Sequence, residues 1–447
     1  MTRRLALPAL LALLIPGSVA VAQDPPIDQG VRIGITYTPG LRPGMLVLGG
    51  PRTDFLDSAR TILQRDLDHS DQFEIIVLPS SEDLVLGIGM GGETGGSGGD
   101  VYVNYSLYAA LGADYAVAVL PGTDSLERVV TLYDVKGETE LRRVPLPVAD
   151  PYSEAFRMAV HRASDAVVEA VTGVPGIAAT RLLFISRGSL YRIDADGANL
   201  TRVSAPGATA FSSAWDPRGT RAAYAELESG WGKIVLHDFA TGGSRVIPGT
   251  EEQLNISPVF SPDGGTLAFT RIAEEAIEIY RYNLARNCCL ERLTVGRFSD
   301  NLSPTFSPDG RQIAFVTTRV GGTQIYVMSA DGTGQELFAP FDYGVTGNSD
   351  APVWSPDGIN IAFHRVVAGS PQIFVMETRS RVVRQLSSAG RNEDPTWAPD
   401  GRHLAFVSNR TGRRQVWVID VETGRVRQLT RVGEARLPAW SPRIPEQ

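Results

Sequence analysis

The sequence predicts an α/β N-terminal domain followed by an all-β six-bladed β-propeller. A turn motif recurs every 43 to 48 residues through the second half of the 447-residue chain, and helical patterns alternate with short strands in the first half. The 46 glycines and 29 prolines are typical of frequent turns between short strands. We expect a leader over 1–22, the N-terminal domain over 23–175 and the propeller over 176–447.

The first 22 residues have the pattern of a secretory signal peptide. Arg3 and Arg4 precede an apolar run over 5–15, and Ala20 and Ala22 form a small-residue cleavage site before Gln23. The apolar run is too short to span about 30 Å of hydrocarbon. We expect cleavage after Ala22, export to the periplasm and no insertion into the membrane.

Region 23–175 combines two amphipathic helices with short strands. Apolar residues recur at helical spacing over 54–68 and 151–173, where Asp54 is suited to cap the first helix and Gly173 to end the second. A short helix is predicted over 107–112. Strands are predicted over 31–36, 45–48, 73–78, 115–120 and 129–134. Helices that alternate with strands indicate an α/β domain.

The turn motif repeats through region 176–447. FSPDG occupies 260–264 and 306–310, WSPDG occupies 354–358, and WAPDG occupies 397–401. A degenerate WDPRG stands at 215–219, and a truncated WSP at 440–442. A fixed period of this length is typical of repeat architectures.

Each period contains four short strands with alternating apolar residues, for example at 312–316 and 324–328. Such a unit is a propeller blade, and blades stack radially because one blade alone cannot cover its own faces. Segment 181–203 supplies three strands without an inner strand, whereas 437–440 supplies an inner strand with no blade after it. We therefore predict five whole blades and one shared blade, a closure that removes exposed sheet edges.

Composition excludes several classes of function. The net charge of −8 and the pI near 5.3 argue against nucleic acid or an anionic membrane as a partner, because both bind basic surfaces. Two cysteines cannot build a disulfide scaffold or a thiolate zinc cluster. Cys288 and Cys289 are neighbours, which allows a vicinal disulfide, but side chains that alternate along a strand favour the reduced state.

Several patterns imitate chemistry without the context that the chemistry needs. Stretch 87–99 contains a nucleophile-like GGSGG and a dinucleotide-like GIGMGG, but neither leads directly into a helix, so we expect a flexible loop. Turn 194–197 resembles the start of a calcium loop and lacks its distal glutamate. The histidines at 69, 161, 237, 364 and 403 show no metal-ligand spacing. We predict no enzymatic activity, no cofactor and no metal site.

Three segments resemble the TolB family, the soluble periplasmic components of the Tol–Pal cell-envelope system. HRASDAV at 161–167, which continues to Gly173 and Thr180, is similar to the family's junction between N-terminal domain and propeller. LGADY at 111–115 is similar to a family segment, and PAWSP at 438–442 is similar to the family's C-terminal ending. With the leader and the blades, the resemblance covers essentially the whole chain.

The resemblance implies a docking protein. In that family the open propeller face binds Pal, the peptidoglycan-associated lipoprotein. The mature N-terminus contacts TolA, a protein anchored in the inner membrane, and the system supports the outer membrane during constriction. Stretch 87–99 departs from the family as an insertion, and 23–30 is only loosely similar to it. We expect a monomer with these two kinds of partner.

The order of strands in a blade predicts which residues share the open face. Loops before the inner strand and between the second and third strands lie on one face, and the Pro-Asp-Gly turns lie on the other. The predicted partner-binding residues on these loops are Asn255, Asp300, Asn301, Asn348, Asp350, Asn392, Glu393, Asp394, Arg271, Arg319, Arg365 and Arg410. Arginine forks beside polar acceptors suit a polar protein surface. The alternative is that the Asn and Asp cap turns and the Arg stack within blades.

Two other functions stay open from the sequence. One is a propeller that gates a peptidase, which would need a hydrolase domain beside it. The other is an exported propeller that binds carbohydrate or an ion.

Overall fold

The structure is a computed structural model that describes residues 42–48, 53–76, 87–88, 101–121, 128–147, 150–228, 230–273, 276–338 and 347–444. All of them belong to one compact unit. The predicted signal peptide, segment 23–30 and the predicted strand 31–36 lie outside these residues. Among the helices that are described, none has the length and apolar character needed to cross a bilayer.

The N-terminal α/β region is built around one five-stranded sheet. Its elements are β1 (Gly44–Val47), α1 (Asp54–His69), β2 (Glu74–Ile76), β3 (Gly87–Ile88), β4 (Val101–Tyr102), α2 (Tyr105–Ala110), β5 (Tyr115–Pro121), β6 (Arg128–Asp134), β7 (Thr139–Leu146) and α3 (Glu154–Thr172). The strand order is β2-β1-β5-β6-β7, with β1 parallel to both β2 and β5 and the remaining pairs antiparallel. Strands β3 and β4 pair separately.

Alternation along the strands divides the apolar residues between two layers. Met45 and Val117 pack with the apolar stripes of α1 and α3, whereas Leu46 and Ala116 pack with Tyr108 of α2 on the other side. The helices therefore sandwich the sheet.

Three local details differ from the sequence predictions. Thr53, not Asp54, caps α1, because its hydroxyl accepts the Leu56 N–H at 3.2 Å. Strand β7 is not predicted, because it is almost wholly exposed and so lacks alternating apolar residues. Part of the expected loop 87–99 is the short strand β3, and 89–99 lies outside the described residues.

The propeller region consists of short strands. They are β8 (Arg181–Ser186), β9 (Ser189–Asp194), β10 (Thr201–Arg202), β11 (Thr209–Trp215), β12 (Arg221–Glu228), β13 (Trp231–Asp238), β14 (Ser244–Val246), β15 (Leu254–Phe260), β16 (Thr266–Ile272), β17 (Ile277–Asn283), β18 (Cys288–Arg292), β19 (Asn301–Phe306), β20 (Gln312–Thr317), β21 (Gln324–Ser329), β22 (Glu336–Leu337), β23 (Ser349–Trp354), β24 (Asn360–Val367), β25 (Ser370–Glu377), β26 (Val383–Gln385), β27 (Asn392–Trp397), β28 (His403–Ser408), β29 (Gln415–Asp420), β30 (Val426–Gln428) and β31 (Arg436–Trp440).

Most of these strands form four-stranded antiparallel sheets. Among the described residues, β19–β22, β23–β26 and β27–β30 are separate sheets, and β11–β18 form one eight-stranded sheet. In that larger sheet a single parallel pair, Gly232 with Leu254, joins β11–β14 to β15–β18.

The two ends of the propeller region meet in a shared sheet of order β10-β9-β8-β31. Strand β31 pairs antiparallel with β8, as the sequence predicts. The Trp440 indole N–H also donates to Thr180 Oγ1 at 2.8 Å, and the Ser441 N–H donates to the Arg181 carbonyl at 2.8 Å. These contacts join the last strand to the first.

The Ser-Pro-Asp-Gly motif forms the turn between the first two strands of a sheet. The Ser261 hydroxyl donates to Asp263 at 2.5 Å and accepts the Thr266 N–H at 2.9 Å. Gly264 has a φ of 70° and packs against Pro217 of the preceding unit. The aspartate therefore has the structural role that the turn chemistry predicts.

Cys288 and Cys289 form a disulfide, which corrects the reduced state favoured by the sequence. The register shifts here: Leu290 lies opposite Tyr282 and Cys288 opposite Asn283, so Cys289 is an extra residue in a bulge with a φ of 66°. A bulge interrupts the alternation of side chains. The two cysteine side chains therefore do not have to lie on opposite faces of the strand.

Candidate protein-docking face

The propeller presents two faces that differ in chemistry. We call one the turn face, which carries the turns between first and second and between third and fourth strands. We call the other the arginine face, which carries the loops between second and third strands and those that lead to the next inner strand. Because the strands of a sheet are antiparallel, successive connections alternate between these faces.

The turn face of the sheet β27–β30 contacts the C-terminal end of α1. Arg402 donates to Gln72 Oε1 at 2.9 Å and to the Asp71 carbonyl at 3.2 Å, and Arg425 pairs with the Asp71 carboxylate at 2.6 Å. Buried His403 lies between Asp400 at 2.6 Å and Asp71 at 3.3 Å. This end of the propeller is thus bound to the N-terminal region by ion pairs.

Burial strongly affects the charges at this contact. Burial disfavours charge on His403, but Asp400 and Asp71 raise the pKa of its imidazole to about 9. Burial likewise opposes the charge of Asp400, yet His403 lowers the pKa of that carboxyl to about 2. Burial lowers the pKa of the nearby Arg427 guanidinium to about 10. His403 and Asp400 therefore stabilise each other's charged form.

The shared sheet contributes a second set of contacts on the turn face. Asp196, in the turn after β9, pairs with Arg65 of α1 at 3.0 Å and with Arg157 of α3. Glu154 at the start of α3 pairs with Arg181 of β8 and with Arg192 of β9. The sequence predicts only a connecting turn at 194–197, and the structure shows that this turn also binds both long helices.

On the arginine face, each predicted arginine lies over two aromatic rings of its own sheet. The pairs of rings are Phe269 and Tyr280 for Arg271, Phe315 and Tyr326 for Arg319, Phe363 and Phe374 for Arg365, and Phe406 and Trp417 for Arg410, with 4.6 to 5.9 Å from guanidinium carbon to ring centroid. Stacking of this kind stabilises the arginine in place. Burial lowers the pKa of Arg271 and Arg410.

The same arginines donate to the start of the inner strand. Arg271, Arg319 and Arg410 reach the side-chain oxygens of Asn255, Asn301 and Asn392 at 2.9 to 3.2 Å, and Arg365 reaches Ser349 Oγ at 3.0 Å. The three asparagines are fully buried. Their amide groups donate onward, for example from Asn392 to Gln372 Oε1 at 2.7 Å. These residues follow the structural alternative, since the arginines and asparagines are bonded within the blades.

Asn348 and three of the predicted acidic residues, Asp300, Asp350 and Glu393, lie nearer the solvent. Asn348 is exposed, and Asp300 and Asp350 are half-buried. Thr323 Oγ1 donates to Asp350 at 2.9 Å, and Arg414 donates to Glu393 at 3.0 Å.

Asp394 occupies a bulge of β27 with a φ of 55°. Its backbone N–H donates to His364 Nδ1 at 3.3 Å. Burial raises the pKa of its carboxyl to about 6.

The structure also places exposed apolar side chains on this face, which the sequence reasoning missed. Phe298 is fully exposed, Val295 is 75% exposed, and Trp231 is 51% exposed. Val320 and Val367 lie at other loop tips of the same face and are also exposed. Each of these residues stands in or beside a loop between strands. An apolar residue in such a polar loop was the sequence signal that could have predicted its exposure.

Comparison with known proteins supports this architecture. The sequence profile described as TolB beta propeller domain matches residues 168–340 and 343–445, which is more than half of the chain. The chain belongs to the TolB β-propeller family.

Relatives in the TolB family cover part of the chain. A Tol-Pal system protein TolB from Methylococcus capsulatus is 31% identical over 249 residues, which are 54% of each chain. One from an Azoarcus species is 34% identical over 143 residues, which are 30% of this chain and 33% of that protein. The chain thus spans about half or less of the length of these curated relatives.

The crystal structure of TolB from Acinetobacter baumannii superposes with a TM-score of 0.75 at 24% identity, over 91% of this chain and 98% of that one. That likeness establishes the shared fold, which includes the N-terminal α/β region.

Proposed function

We propose that this protein is a non-enzymatic, monomeric periplasmic scaffold of the Tol–Pal system, whose arginine face binds a Pal-like lipoprotein. The observation that carries the proposal is the contrast between the two faces. On the turn face, two sheets contact the N-terminal region, whereas the arginine face presents Trp231, Val295 and Phe298 to solvent. Membership of the TolB family and the names of the curated relatives support the same system.

We infer that the propeller over 176–447 has six blades. The eight-stranded sheet is two four-stranded sets joined by one bridging pair, and each inner strand has a register shift. A residue of positive φ marks each of these shifts: Ser212, Ser257, Ser303, Ala351, Asp394 and Leu437. Six such residues, one in each inner strand, support six repeats without reference to how the strands are grouped into sheets.

The exposed apolar tips suit the core of a protein–protein interface. Aromatic residues are enriched where binding energy concentrates, and large exposed apolar groups mark interaction sites. Phe298 and Trp231 combine high exposure with a ring that would be desolvated by a partner. We therefore assign the strongest contacts to these two side chains.

The arginines have a supporting role in this proposal. Arg319 donates to Asn301 at 3.1 Å and to Gln335 at 2.8 Å while it stacks on Tyr326. This arrangement holds the loop 318–323, which carries Val320, in a fixed position. A pre-ordered loop lowers the entropy cost of binding. The half-exposed Asp300 and Asp350 and the exposed Asn348 then form the polar rim.

Calorimetric titration with the soluble domain of the Pal-like lipoprotein tests the proposal. Trp231→Ser with Phe298→Ser should weaken binding about 100-fold, the effect of losing two interface anchors. The matched control is Ile359→Ser with Val382→Ser, two turn-face residues that are 52% and 53% exposed. Unchanged affinity in the first double variant, or binding of carbohydrate and no lipoprotein by the wild type, would overturn it.

We further propose that segment 23–30, which the sequence places after a signal peptide cleaved at Ala22, contacts a TolA-like inner-membrane protein. The TolB resemblance supports this assignment, and the segment lies outside the described residues. Deletion of 23–30 should abolish capture of the TolA-like protein and leave calorimetric affinity for the Pal-like domain within about twofold, since the two contacts use different parts of the chain. Retained capture after the deletion would refute this part of the proposal.

A further inference from the structure

A histidine and two aspartates meet where α3 contacts the shared sheet. One ring nitrogen of His161 and one carboxylate oxygen from each of Asp194 and Asp196 all lie within 4.8 Å of one another. His161 comes from α3, whereas both aspartates come from the end of β9 and the turn that follows it. The five histidines showed no metal-ligand spacing in the sequence, because this cluster forms only when the helix packs on the propeller.

The second nitrogen of His161 is the unusual feature of the cluster. Nδ1 bonds to Asp66 Oδ2 at 2.8 Å, but Nε2 is buried and has no hydrogen-bond partner among the residues that the structure describes. His161 is 0% exposed. A buried polar atom without a partner is costly, and native proteins almost always satisfy such atoms. An unpartnered, buried Nε2 on a histidine that clusters with two carboxylates therefore indicates a ligand.

The surroundings of His161 match those of a metal-bound histidine. Metal-ligating histidines usually give their other ring N–H to a carboxylate, which sets the tautomer and orients the ring. Asp66 has this position, and Ser164 Oγ donates to the same Asp66 oxygen at 2.8 Å. In a metal-bound state Nδ1 would carry the proton and donate it to Asp66, which leaves the lone pair of Nε2 for the ion.

The aspartates keep acceptor capacity for a cation. Asp194 accepts from Arg181 Nε at 3.2 Å and from Asn199 at 2.6 Å. Asp196 accepts the Ala198 N–H at 3.0 Å and pairs with Arg65 and Arg157 through its other oxygen. Each carboxylate oxygen has two lone pairs, so Asp196 Oδ1 and both oxygens of Asp194 each keep one, whereas Asp196 Oδ2 already accepts from two arginines. The Arg65 side chain is 40% exposed, so it can turn toward solvent when a cation arrives.

We propose that His161, Asp194 and Asp196 bind one divalent transition-metal ion, with Zn²⁺ as the best match. One imidazole nitrogen and two carboxylates are ligands that zinc accepts in tetrahedral sites, and water would supply the fourth position. The ion would join α3 to the shared sheet, so this is a structural site. It is separate from the arginine face and does not depend on the proposed docking function.

Metal analysis of the mature chain tests this site. Equilibrium dialysis against Zn²⁺ followed by elemental analysis should give one zinc per chain. His161→Gln should lower the affinity for Zn²⁺ at least tenfold. The matched control is His237→Gln, because His237 lies on β13 of another sheet, where its ring contacts Ser244 of β14. Loading with Co²⁺ gives a second readout: a tetrahedral visible spectrum in the wild type that is absent in Asp196→Asn.

Circular dichroism of each variant separates loss of metal from loss of fold. If His161→Gln does not fold, the Asp196→Asn variant and the cobalt spectrum of the wild type decide the question. No saturable zinc binding by the folded wild type, or equal binding by wild type and Asp196→Asn, would overturn the proposal.

Discussion

The two faces of the propeller use charged residues in different ways. On the turn face, arginines and aspartates from different regions pair with one another, as Arg425 does with Asp71 and Arg157 with Asp196. On the arginine face, each arginine stacks on rings and bonds to side chains of its own sheet, as Arg410 does with Trp417 and Asn392. Arginines thus bind the turn face to the N-terminal region, whereas on the arginine face they are bonded within their own sheets.

A set of arginines that recurs from blade to blade is therefore not by itself a binding surface. The arginines of the arginine face are bonded within their own sheets, and the exposed side chains of Trp231, Val295 and Phe298 are left as its apolar tips. Substitutions at the contact between the turn face and the N-terminal region should therefore lower the free energy of unfolding. Substitutions at the apolar tips should weaken partner binding and leave the free energy of unfolding unchanged.

The largest stability effect should come from Asp165, which fastens α3 to the start of the propeller. Its two carboxylate oxygens accept the N–H groups of Ala178 at 2.7 Å and Ala179 at 2.9 Å, all buried. Asp165→Ala leaves two buried donors unsatisfied and should lower the free energy of unfolding by about 3 kcal/mol. Urea denaturation measures this. Asp165→Asn, which keeps one acceptor, should lose less, and equal stability of Asp165→Ala and wild type would contradict the account.

The next effect should be a pH dependence from His403. Its folded pKa of about 9 lies above the ordinary value of 6.5, so its contribution is complete below about pH 6.5 and is lost as pH rises through about 9. Stability should fall by on the order of 2 kcal/mol over this window. Denaturation curves at several pH values measure the slope, and His403→Gln should flatten it. A wild-type curve with no slope there would show that the His403 contact with Asp71 and Asp400 is not charged.

A smaller effect is expected on the arginine face. Arg319→Ala removes a stack on Phe315 and Tyr326 and a bond to Asn301, and should lower stability by about 1 to 2 kcal/mol. Affinity for the Pal-like domain should change less than about threefold at a temperature where the variant is folded. A loss of affinity as large as that of the Phe298 and Trp231 variant, with stability unchanged, would make the arginine itself a docking residue.

The smallest effect should come from the cysteines. Cys289 is exposed in the bulge of the outer strand β18, so Cys288→Ser with Cys289→Ser should change stability by less than about 1 kcal/mol. Intact mass without reductant should be two hydrogens below the reduced mass. An unchanged mass on reduction would contradict the disulfide.

Much of the fold follows from patterns that the chain repeats. The spacing of the turn motif and the unmatched strands at 181–203 and 437–440 predict the sheet that joins β31 to β8, because each copy carries the same turn chemistry. Strand β7 escapes prediction because exposure removes its apolar alternation. The bulge at Cys289 is not predicted because one extra residue in a strand does not change the composition of the segment.

The order of strands in a blade predicts which residues share the arginine face, but it does not predict how those residues are bonded. Strand order places Arg271 and Asn255 on the same face, and the register pairs them directly across β15 and β16. The register does not indicate that Asn255 is buried, with its amide group donating to the carbonyls of Gly232 at 2.9 Å and Thr250 at 2.7 Å. The exposure of Phe298 depends on the path of its loop, and the approach of His161 to Asp194 depends on how a helix packs on a distant sheet. Neither is encoded in local sequence.

Hydrogen exchange of the complex with the Pal-like domain tests whether the arginine face is the docking surface, because it reports both faces at once. Binding should slow exchange at the loops that carry Trp231, Phe298 and Val320, and leave the turns at 262–264 and 308–310 unchanged. Protection of those turns, with the loops of the arginine face unaffected, would contradict the account.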